Sequence, residues 1–205
     1  MADLVRHGLF RAVCALDEFW SSAWLRLRAL WWGVSLGSGA RAWGPVSFNR
    51  FPGSEIRIGR NARIVSRAYR YPFHLFPQSK LRTFLPTARI LIGENVGFNS
   101  IAILARSQTI EIGDHCLIGG NCQITDTDGH PLWPPERRSF YPGDEHDAPV
   151  KIGRHVFIGL NVIILKGVTI GENSIIAAGS VVNRDIPENS LAAGVPARVV
   201  KTFER

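Results

Sequence analysis

The C-terminal half of the chain carries an aliphatic residue, usually followed by a small one, at every sixth position. These pairs begin at Ile152, Ile158, Ile164, Ile170 and Ile176, and similar pairs appear earlier at Ile58, Ile92, Ile112 and Ile118. A strict period of six fits neither an α-helix, with its period of about 3.6, nor an alternating strand, with its period of about 2. It is typical of a chain wound into stacked coils, in which each coil covers the open edge of the next.

One hexad, residues 152–157, explains the pattern physically. Its first residue, Ile152, is expected to point into a narrow prism, where burial contributes about 1.5–3 kcal/mol per side chain. Its second residue, Gly153, suits a corner at which the backbone turns or closely approaches a neighbouring coil. The fifth position stays small or β-branched because three short strands converge there. Its occupants are Val96, Cys116, Cys122, Val156, Val162, Val168, Ser174 and Ser180.

The hexads continue into a tail, Ala177-Ala178-Gly179-Ser180-Val181-Val182 through Ala193-Gly194-Val195-Pro196-Ala197-Arg198. Hexads and tail together resemble the acyltransferases of the hexapeptide-repeat superfamily, most closely the galactoside, maltose and polysaccharide O-acetyltransferases. The resemblance is strong over residues 88–205 and weak over 55–87. It implies an all-β core built as a left-handed parallel β-helix, and a homotrimer that holds acetyl-CoA between adjacent subunits.

The sequence divides into an N-terminal helical segment, 1–54, and a β-helix domain, 55–205. The domain is expected to contain an excursion loop, 131–150, and a C-terminal tail, 183–205. Two further breaks interrupt the repeat. Residues 65–87 form an aromatic and proline-rich stretch that predicts a loop or imperfect coil against the N-terminal helix, and a slip of two residues between Phe98 and Ile112 predicts a bulge.

The N-terminal part of the chain, residues 1–90, is basic and rich in tryptophan. Residues 1–90 carry 14 Lys and Arg against 4 Asp and Glu, and five of the six tryptophans lie among them. Apolar residues follow helical spacing, which predicts one or two amphipathic helices. They are Leu9, Val13, Leu16, Trp20, Ala23, Leu27, Leu30 and Val34.

Two interpretations of this apolar face remain open. It could pack on the coils or close their open end, or it could contact a membrane interface, where Arg meets anionic headgroups and indole rings span the polar boundary. Charges at Asp17, Glu18, Arg26 and Arg28 exclude a membrane span. We find no signal peptide and no nucleic-acid-binding module.

His130 is the candidate catalytic base. Acetyl transfer to an alcohol requires removal of the hydroxyl proton as the oxygen attacks, and imidazole suits this task at neutral pH. The histidine lies in Gly129-His130-Pro131, at the start of the loop that interrupts the hexads. The resemblance implies the same role, because sugar O-acetyltransferases keep their base in a matching Gly-His-Pro.

Three further residues are candidates for acceptor binding. Asp126 or Asp128 could orient the His130 ring by accepting its far proton. Both could equally cap a turn through their side chains. The resemblance implies that Asn99 contacts the acceptor sugar.

The resemblance also implies a cofactor slot lined by backbone and small side chains at Gly159, Leu160, Ala177 and Ala178, beside the aromatic Phe157. The expected neighbours of the CoA nucleotide are Asn183, Arg184, Arg198 and Lys201, and positive charge there suits phosphate groups. The position of Leu160 is often a serine in the family, so this chain would lose a polar contact.

No metal site is expected, because no two histidines have the five-residue spacing of the related zinc-dependent carbonic anhydrases. Three cysteines make no disulfide framework and fit a reducing cytoplasmic setting. The sequence therefore predicts an acetyl-CoA-dependent O-acetyltransferase that acts on a sugar hydroxyl in surface polysaccharide or glycan synthesis, in the cytoplasm or on the inner membrane face. Serine acetyltransferase, amino-sugar N-acyltransferase and a non-catalytic scaffold remain as alternatives.

Overall fold

The computed structural model describes residues 2–71, 73–139 and 145–204. Helix α1 spans Ala2–Trp32 and is followed by six coils of short parallel strands. The first three coils are β1 (Ser35–Leu36), β2 (Arg41–Trp43), β3 (Val46–Asn49); β4 (Glu55–Ile58), β5 (Arg63–Val65), β6 (Ser79–Thr83); and β7 (Arg89–Ile92), β8 (Gly97–Asn99), β9 (Ala102–Ala105). The last three are β10 (Thr109–Ile112), β11 (Leu117–Ile118), β12 (Gln123–Thr125); β13 (Val150–Ile152), β14 (Phe157–Ile158), β15 (Ile163–Ile164); and β16 (Thr169–Ile170), β17 (Ile175–Ile176), β18 (Val181–Val182).

Corresponding strands of successive coils form the three sheets of a prism. The first sheet holds β1, β4, β7, β10, β13 and β16; the second starts at β2 and the third at β3. The prism is a left-handed parallel β-helix, as expected. Its edges are named here by the sheets they join: edge 1–2, edge 2–3 and edge 3–1.

The predicted inward positions form the core. Ile92, Ile112 and Ile152 pair in register along the first sheet, and all are buried. Corner glycines stack against backbone as the hexad predicts: a Cβ on Gly153 would lie 2.7 Å from the amide nitrogen of Glu172. Side-chain burial and close backbone approach at the corners together explain the six-residue period.

The coils begin earlier than the sequence indicated. Residue 55 was the expected start of the β-helix, but strands β1–β3 already form a complete coil before it. The expectation failed because Leu36, Ala42 and Phe48 occupy the stacking positions in place of isoleucine. Their spacing of six was a readable signal.

Helix α1 closes the open end of the first coil. It contacts all three strands of that coil, and Leu25 and Ala29 join the buried core. Its polar side chains satisfy the exposed backbone of the coil: Ser22 Oγ accepts from the amide of Ala42 at 3.0 Å, and Arg28 Nη1 donates to the carbonyl of Val46 at 2.7 Å. These contacts cover strand edges that would otherwise present unpaired backbone groups.

The helix uses a different face for this contact from the one the sequence singled out. The buried side comprises Cys14, Ser22, Leu25 and Ala29. The opposite side is apolar and exposed, with Trp20 at 68% and Trp31 at 85%. This exposed side, called here the outward stripe, comprises Leu9, Val13, Leu16, Trp20, Trp24, Leu27 and Trp31. Within the described residues, no helix is apolar over a length that would cross a bilayer.

The aromatic stretch after β5 is an excursion at edge 2–3, residues 66–78, apart from Pro72, which lies outside the described residues. The start of the excursion is hydrogen-bonded to α1, because the Tyr69 hydroxyl donates to Asp17 Oδ2 at 2.5 Å. Its end returns to the prism, where Asn121 accepts from the amide of Phe76 and donates to the carbonyl of His74. Burial and the contact with Asp17 raise the pKa of Tyr69, so its phenol stays protonated.

The slip of two residues arises at the corners of one coil and not as a bulge within a strand. The turn from β8 to β9 at edge 2–3 is short, and the turn after β9 at edge 3–1 is extended by residues 106–108. After the last coil, β19 (Ser190–Gly194) adds to the second sheet, and β20 (Ala197–Thr202) folds back antiparallel on it.

Candidate active site

The loop that carries His130 leaves the prism at edge 3–1, between the end of β12 and the start of β13. Its first residues form a tight turn. Thr125 Oγ1 accepts from the amide of Thr127 at 3.3 Å, and Thr127 Oγ1 accepts from the amide of Gly129 at 3.0 Å. His130 follows Gly129, whose φ is +84°, and is exposed. The imidazole therefore stands at the surface on a backbone that side chains hold in place.

Asp126 organises the base of this loop. Its carboxylate is fully buried and accepts the backbone amides of Arg106, Ser107 and Gln108 at 2.7–3.1 Å. The pKa of Asp126 is raised overall, because the effect of burial outweighs that of the three amide bonds, which lower it. This geometry favours the turn-capping alternative for Asp126, because both oxygens already serve backbone donors.

Asp128 lies on the exposed side of the same turn. Its Oδ2 accepts from Lys166 Nζ, on the turn that follows β15. The Asp128 side chain, two residues before His130, remains 33% exposed in spite of this ion pair. Asp128 therefore remains a candidate for contact with an acceptor.

Arg106 is the residue of this region that sequence reasoning missed. Its side chain is 2% exposed, and Nε pairs with Asp147 Oδ2 at 3.1 Å. Its Nη1 donates to the carbonyl of Gly129 at 2.6 Å, next to His130. Arg106 follows the apolar run 101–105 and falls within the register slip, and a charged residue at such a break was the available signal.

The proposed cofactor slot lies along a different edge. Gly159, Leu160, Ala177 and Ala178 adjoin one another at edge 2–3, where the amide of Gly179 donates to the carbonyl of Leu160 at 2.9 Å. A Cβ on Gly159 would lie 2.6 Å from the amide nitrogen of Ala178. The close stacking leaves a smooth strip of backbone and small side chains.

The other predicted ligands also divide between edges. Asn99 ends β8 at edge 2–3 and donates to the carbonyl of Ile118 at 3.1 Å. Phe157 projects from β14 and is half exposed. Two exposed basic residues lie on β20, the last strand of the second sheet, and two further exposed residues lie after β18, at edge 3–1. These are Arg198 and Lys201 on β20, and Asn183 and Arg184 after β18.

One chain thus places the His130 loop at edge 3–1 and the cofactor strip at edge 2–3, with the third sheet between them. The loop groups His130 with Asp126 and Asp128, and the strip groups Asn99 with the residues of the slot. A single copy does not bring the two groups onto one edge.

The cysteines of the prism are inert in this geometry. Cys116 and Cys122 are fully buried, and burial raises the pKa of each thiol to about 11. Both remain protonated at neutral pH, so neither presents a thiolate nucleophile. Across the described residues, no three His, Cys, Asp or Glu side chains cluster in a way that could hold a metal ion.

Comparison with known proteins identifies the repeat. A family model described as the hexapeptide repeat of succinyl-transferase matches residues 109–129 and 149–184. The galactoside O-acetyltransferase of Escherichia coli K12 is 43% identical over 114 residues, which are 56% of this chain and 54% of that protein. A putative lipopolysaccharide biosynthesis O-acetyl transferase of the same strain is 33% identical over 124 residues, 56% of this chain and 61% of that protein.

A solved structure matches over a greater length. The hexapeptide-repeat acetyltransferase from Vibrio cholerae superposes with a TM-score of 0.53 at 27% identity, covering 90% of this chain and 82% of that one. The curated relatives, in contrast, are matched over only about half of their length.

Proposed function

This chain belongs to the hexapeptide-repeat acyltransferases, and from that premise we propose that it transfers an acetyl group from acetyl-CoA to a sugar hydroxyl. The observation that carries the proposal is the exposed His130 on the fixed turn where its loop leaves the prism. The two O-acetyltransferase relatives support a hydroxyl acceptor, and one of their names points to a surface polysaccharide.

In the proposed reaction, His130 accepts the acceptor proton as the hydroxyl oxygen attacks the thioester carbonyl. The new C–O bond forms, and the C–S bond breaks when the tetrahedral intermediate collapses. The imidazolium returns its proton to the departing CoA sulfur. Backbone amides at edge 2–3 are suitable donors to the oxyanion. The buried thiols of Cys116 and Cys122 take no part, so the transfer is direct.

We propose that the working enzyme is a homotrimer. The His130 loop and the cofactor strip lie on different edges of one prism, so a neighbouring copy is needed to bring an imidazole to a thioester. In this arrangement Phe157, Gly159, Leu160, Ala177 and Ala178 hold the pantetheine arm. The basic residues Arg198 and Lys201, with Asn183 and Arg184, hold the nucleotide, and Asn99 and Asp128 face the acceptor.

We further propose that α1 rests on the inner face of a membrane. The outward stripe is apolar and rich in indole, and it belongs to the N-terminal part, residues 1–90, in which Lys and Arg outnumber Asp and Glu by 14 to 4. Asp17 and Glu18 do not oppose this contact, because Asp17 pairs with Arg67 of the excursion and Glu18 pairs with Arg41 of β2. Anionic headgroups complement this charge, whereas a second copy of the same basic segment would meet it with like charge. A lipid-linked glycan is then the favoured acceptor.

The test compares His130→Ala with the wild-type chain in an assay of CoA release. We expect turnover to fall by about 10²–10⁴-fold, the usual contribution of a general base, while acetyl-CoA still raises the melting temperature. His115→Asn is the matched control, because that histidine lies outward on edge 1–2 and asparagine occupies equivalent turns at Asn95 and Asn173. Near-normal turnover of His130→Ala would contradict the assignment.

The same assay separates the alternatives by acceptor. We expect galactosides or glycan fragments to be acetylated, and serine and amino-sugar nucleotides to be poor acceptors. Preference for serine or for an amine would replace the O-acetyl proposal with one of the other enzyme classes. Absence of any thermal shift with acetyl-CoA would favour a scaffold without catalysis.

A further inference from the structure

Arg106 connects the two ends of the loop that carries His130. From its place at the turn after β9, the guanidinium donates to the carbonyl of Gly129 at 2.6 Å, near the start of the loop. The same guanidinium pairs through Nε with Asp147 at 3.1 Å, near the end of the loop. Ser107 Oγ donates to the same Asp147 oxygen at 2.8 Å. The base of the loop is therefore closed around one buried cation.

Stability alone explains this arrangement poorly. The Arg106 and Asp147 side chains are 2% and 1% exposed, and a buried ion pair loses much of its attraction to the desolvation of both charges. Apolar side chains of similar volume would often hold the fold as well or better. What an apolar pair could not supply is a donor directed at one particular carbonyl.

That carbonyl belongs to the residue before the catalytic candidate. Gly129 has a φ of +84°, and no neighbouring atom lies within 4 Å of where its Cβ would stand. Packing around a side chain therefore cannot fix its backbone, so hydrogen bonds must. The amide donates to Thr127 Oγ1 and the carbonyl accepts from Arg106, which fixes the peptide groups on both sides.

We propose that Arg106, held by Asp147, is a positioning residue that sets the direction of the His130 imidazole. The inference rests on the proposed function of His130 and adds the residue that orients its imidazole ring. Proton removal requires the base to lie within hydrogen-bonding distance of the acceptor hydroxyl, and a displacement of about 1 Å can lower the rate about 100-fold. Arg106 itself touches no substrate.

The experiment compares Arg106→Lys with Arg154→Lys. Lysine keeps the charge at position 106 but lacks the fork that reaches Asp147 and Gly129 together. The control changes an exposed bidentate pair, Arg154 with Glu172, at edge 1–2, whereas the His130 loop lies at edge 3–1 and the cofactor strip at edge 2–3. We expect Arg106→Lys to lower kcat by about 10- to 100-fold with the KM for acetyl-CoA little changed, and Arg154→Lys to alter neither.

A double variant separates positioning from a general loss of structure. If Arg106 acts only through His130, then Arg106→Lys combined with His130→Ala loses no more activity than His130→Ala alone. Additive losses in the double variant, or full kcat in Arg106→Lys, would overturn the proposal. Activity is compared at a temperature where every variant is folded, and Asp147→Asn serves as a second variant if Arg106→Lys fails to fold.

A readout that does not depend on catalysis completes the test. Opening the base of the loop should speed proteolytic cleavage within residues 131–149 in Arg106→Lys and in Asp147→Asn, and leave cleavage elsewhere unchanged. If Arg106→Lys and Asp147→Asn are cleaved faster but His130→Ala is still active, the role of Arg106 in holding the loop is retained and the proposed function of His130 is rejected. Unchanged cleavage in both variants would reject the closure itself.

Discussion

The imidazole rings of His115 and His155 stack face to face, with centroids 4.8 Å apart and planes inclined by 2°. Both residues adopt positive φ at edge 1–2, at 59° and 57°. Asn61, Asn95, Asn173 and Asn189 take the same conformation at the equivalent turns of other coils. One column of turns thus runs along the prism, and its residue type is set by the left-handed backbone conformation.

This column predicts how His115 responds to substitution. His115→Ala should lower the free energy of unfolding by about 1 kcal/mol, because alanine tolerates positive φ poorly and the ring stack is lost. His115→Asn should be close to neutral, since asparagine accepts this conformation. Denaturant unfolding of both variants checks the difference, and equal losses would show that backbone conformation is not the determining factor.

The corner glycines give a second prediction. Gly153→Ala should destabilise the chain by about 1–3 kcal/mol, because its Cβ would meet the backbone nitrogen of Glu172 at 2.7 Å and the coils must separate. The control is Gly8→Ala, where no atom lies within 4 Å and alanine is the better helix former. We expect a lower melting temperature only for Gly153→Ala; equal temperatures would refute close coil stacking at this corner.

The prism thiols give a prediction about pH. Because burial raises the pKa of Cys116 and Cys122 to about 11, about one thiol in a thousand is ionised at pH 8. Alkylation of the native chain should therefore be slow at neutral pH and rise about tenfold per pH unit toward 11, whereas the unfolded chain should react quickly. Peptide mass spectrometry after iodoacetamide treatment measures each site separately. Rapid labelling of native Cys116 at pH 7 would contradict the buried placement.

The outward stripe predicts binding to lipid vesicles. The chain should sediment with vesicles that contain anionic lipid and less with neutral ones, since each basic residue near the surface contributes about 1 kcal/mol. Leu16→Ser with Trp20→Ser should weaken binding at least tenfold, because each buried apolar side chain contributes about 1.5–3 kcal/mol. Val200→Ser, at an exposed position on β20, is the control.

The oligomeric mass of the same variants decides between a membrane and a second copy as the occupant of the stripe. An unchanged mass with lost vesicle binding supports the membrane. A smaller assembly in the double variant, or no vesicle binding by the unchanged chain, would assign the stripe to contact between copies.

The sequence predicted the coils wherever the stacking residue was isoleucine. Ile152, Ile158 and Ile164 could be placed in the core by counting, because an exact period leaves one face inward. The first coil escaped notice because Leu36, Ala42 and Phe48 fill the same positions with other side chains. Helical spacing identified α1, but spacing alone does not say which of two usable faces meets the prism. The buried face includes the polar Ser22, whose hydroxyl pairs with the backbone of Ala42.

The site was predictable only in part, for a related reason. Loop position and chemistry pointed to His130, whereas the roles of Asp126 and Arg106 depend on which backbone groups lie beside them after folding. Both residues are buried, and each hydrogen-bonds to the backbone of a turn that is about 20 residues away in sequence. No local sequence pattern therefore predicts their partners. The assignments of His130, Asn99, Asp128 and the cofactor residues stay predictions until ligand-bound measurements test them.

The way helix α1 meets the first coil has a consequence for how the molecule behaves at high concentration. A solenoid whose terminal strands stay bare can add another solenoid end to end, and repetition of that step yields a filament. Serine and arginine side chains of α1 occupy the backbone groups on which such growth would begin. The helix therefore covers the end at which such growth would begin, and we expect damage to its inner face to appear as fibre formation.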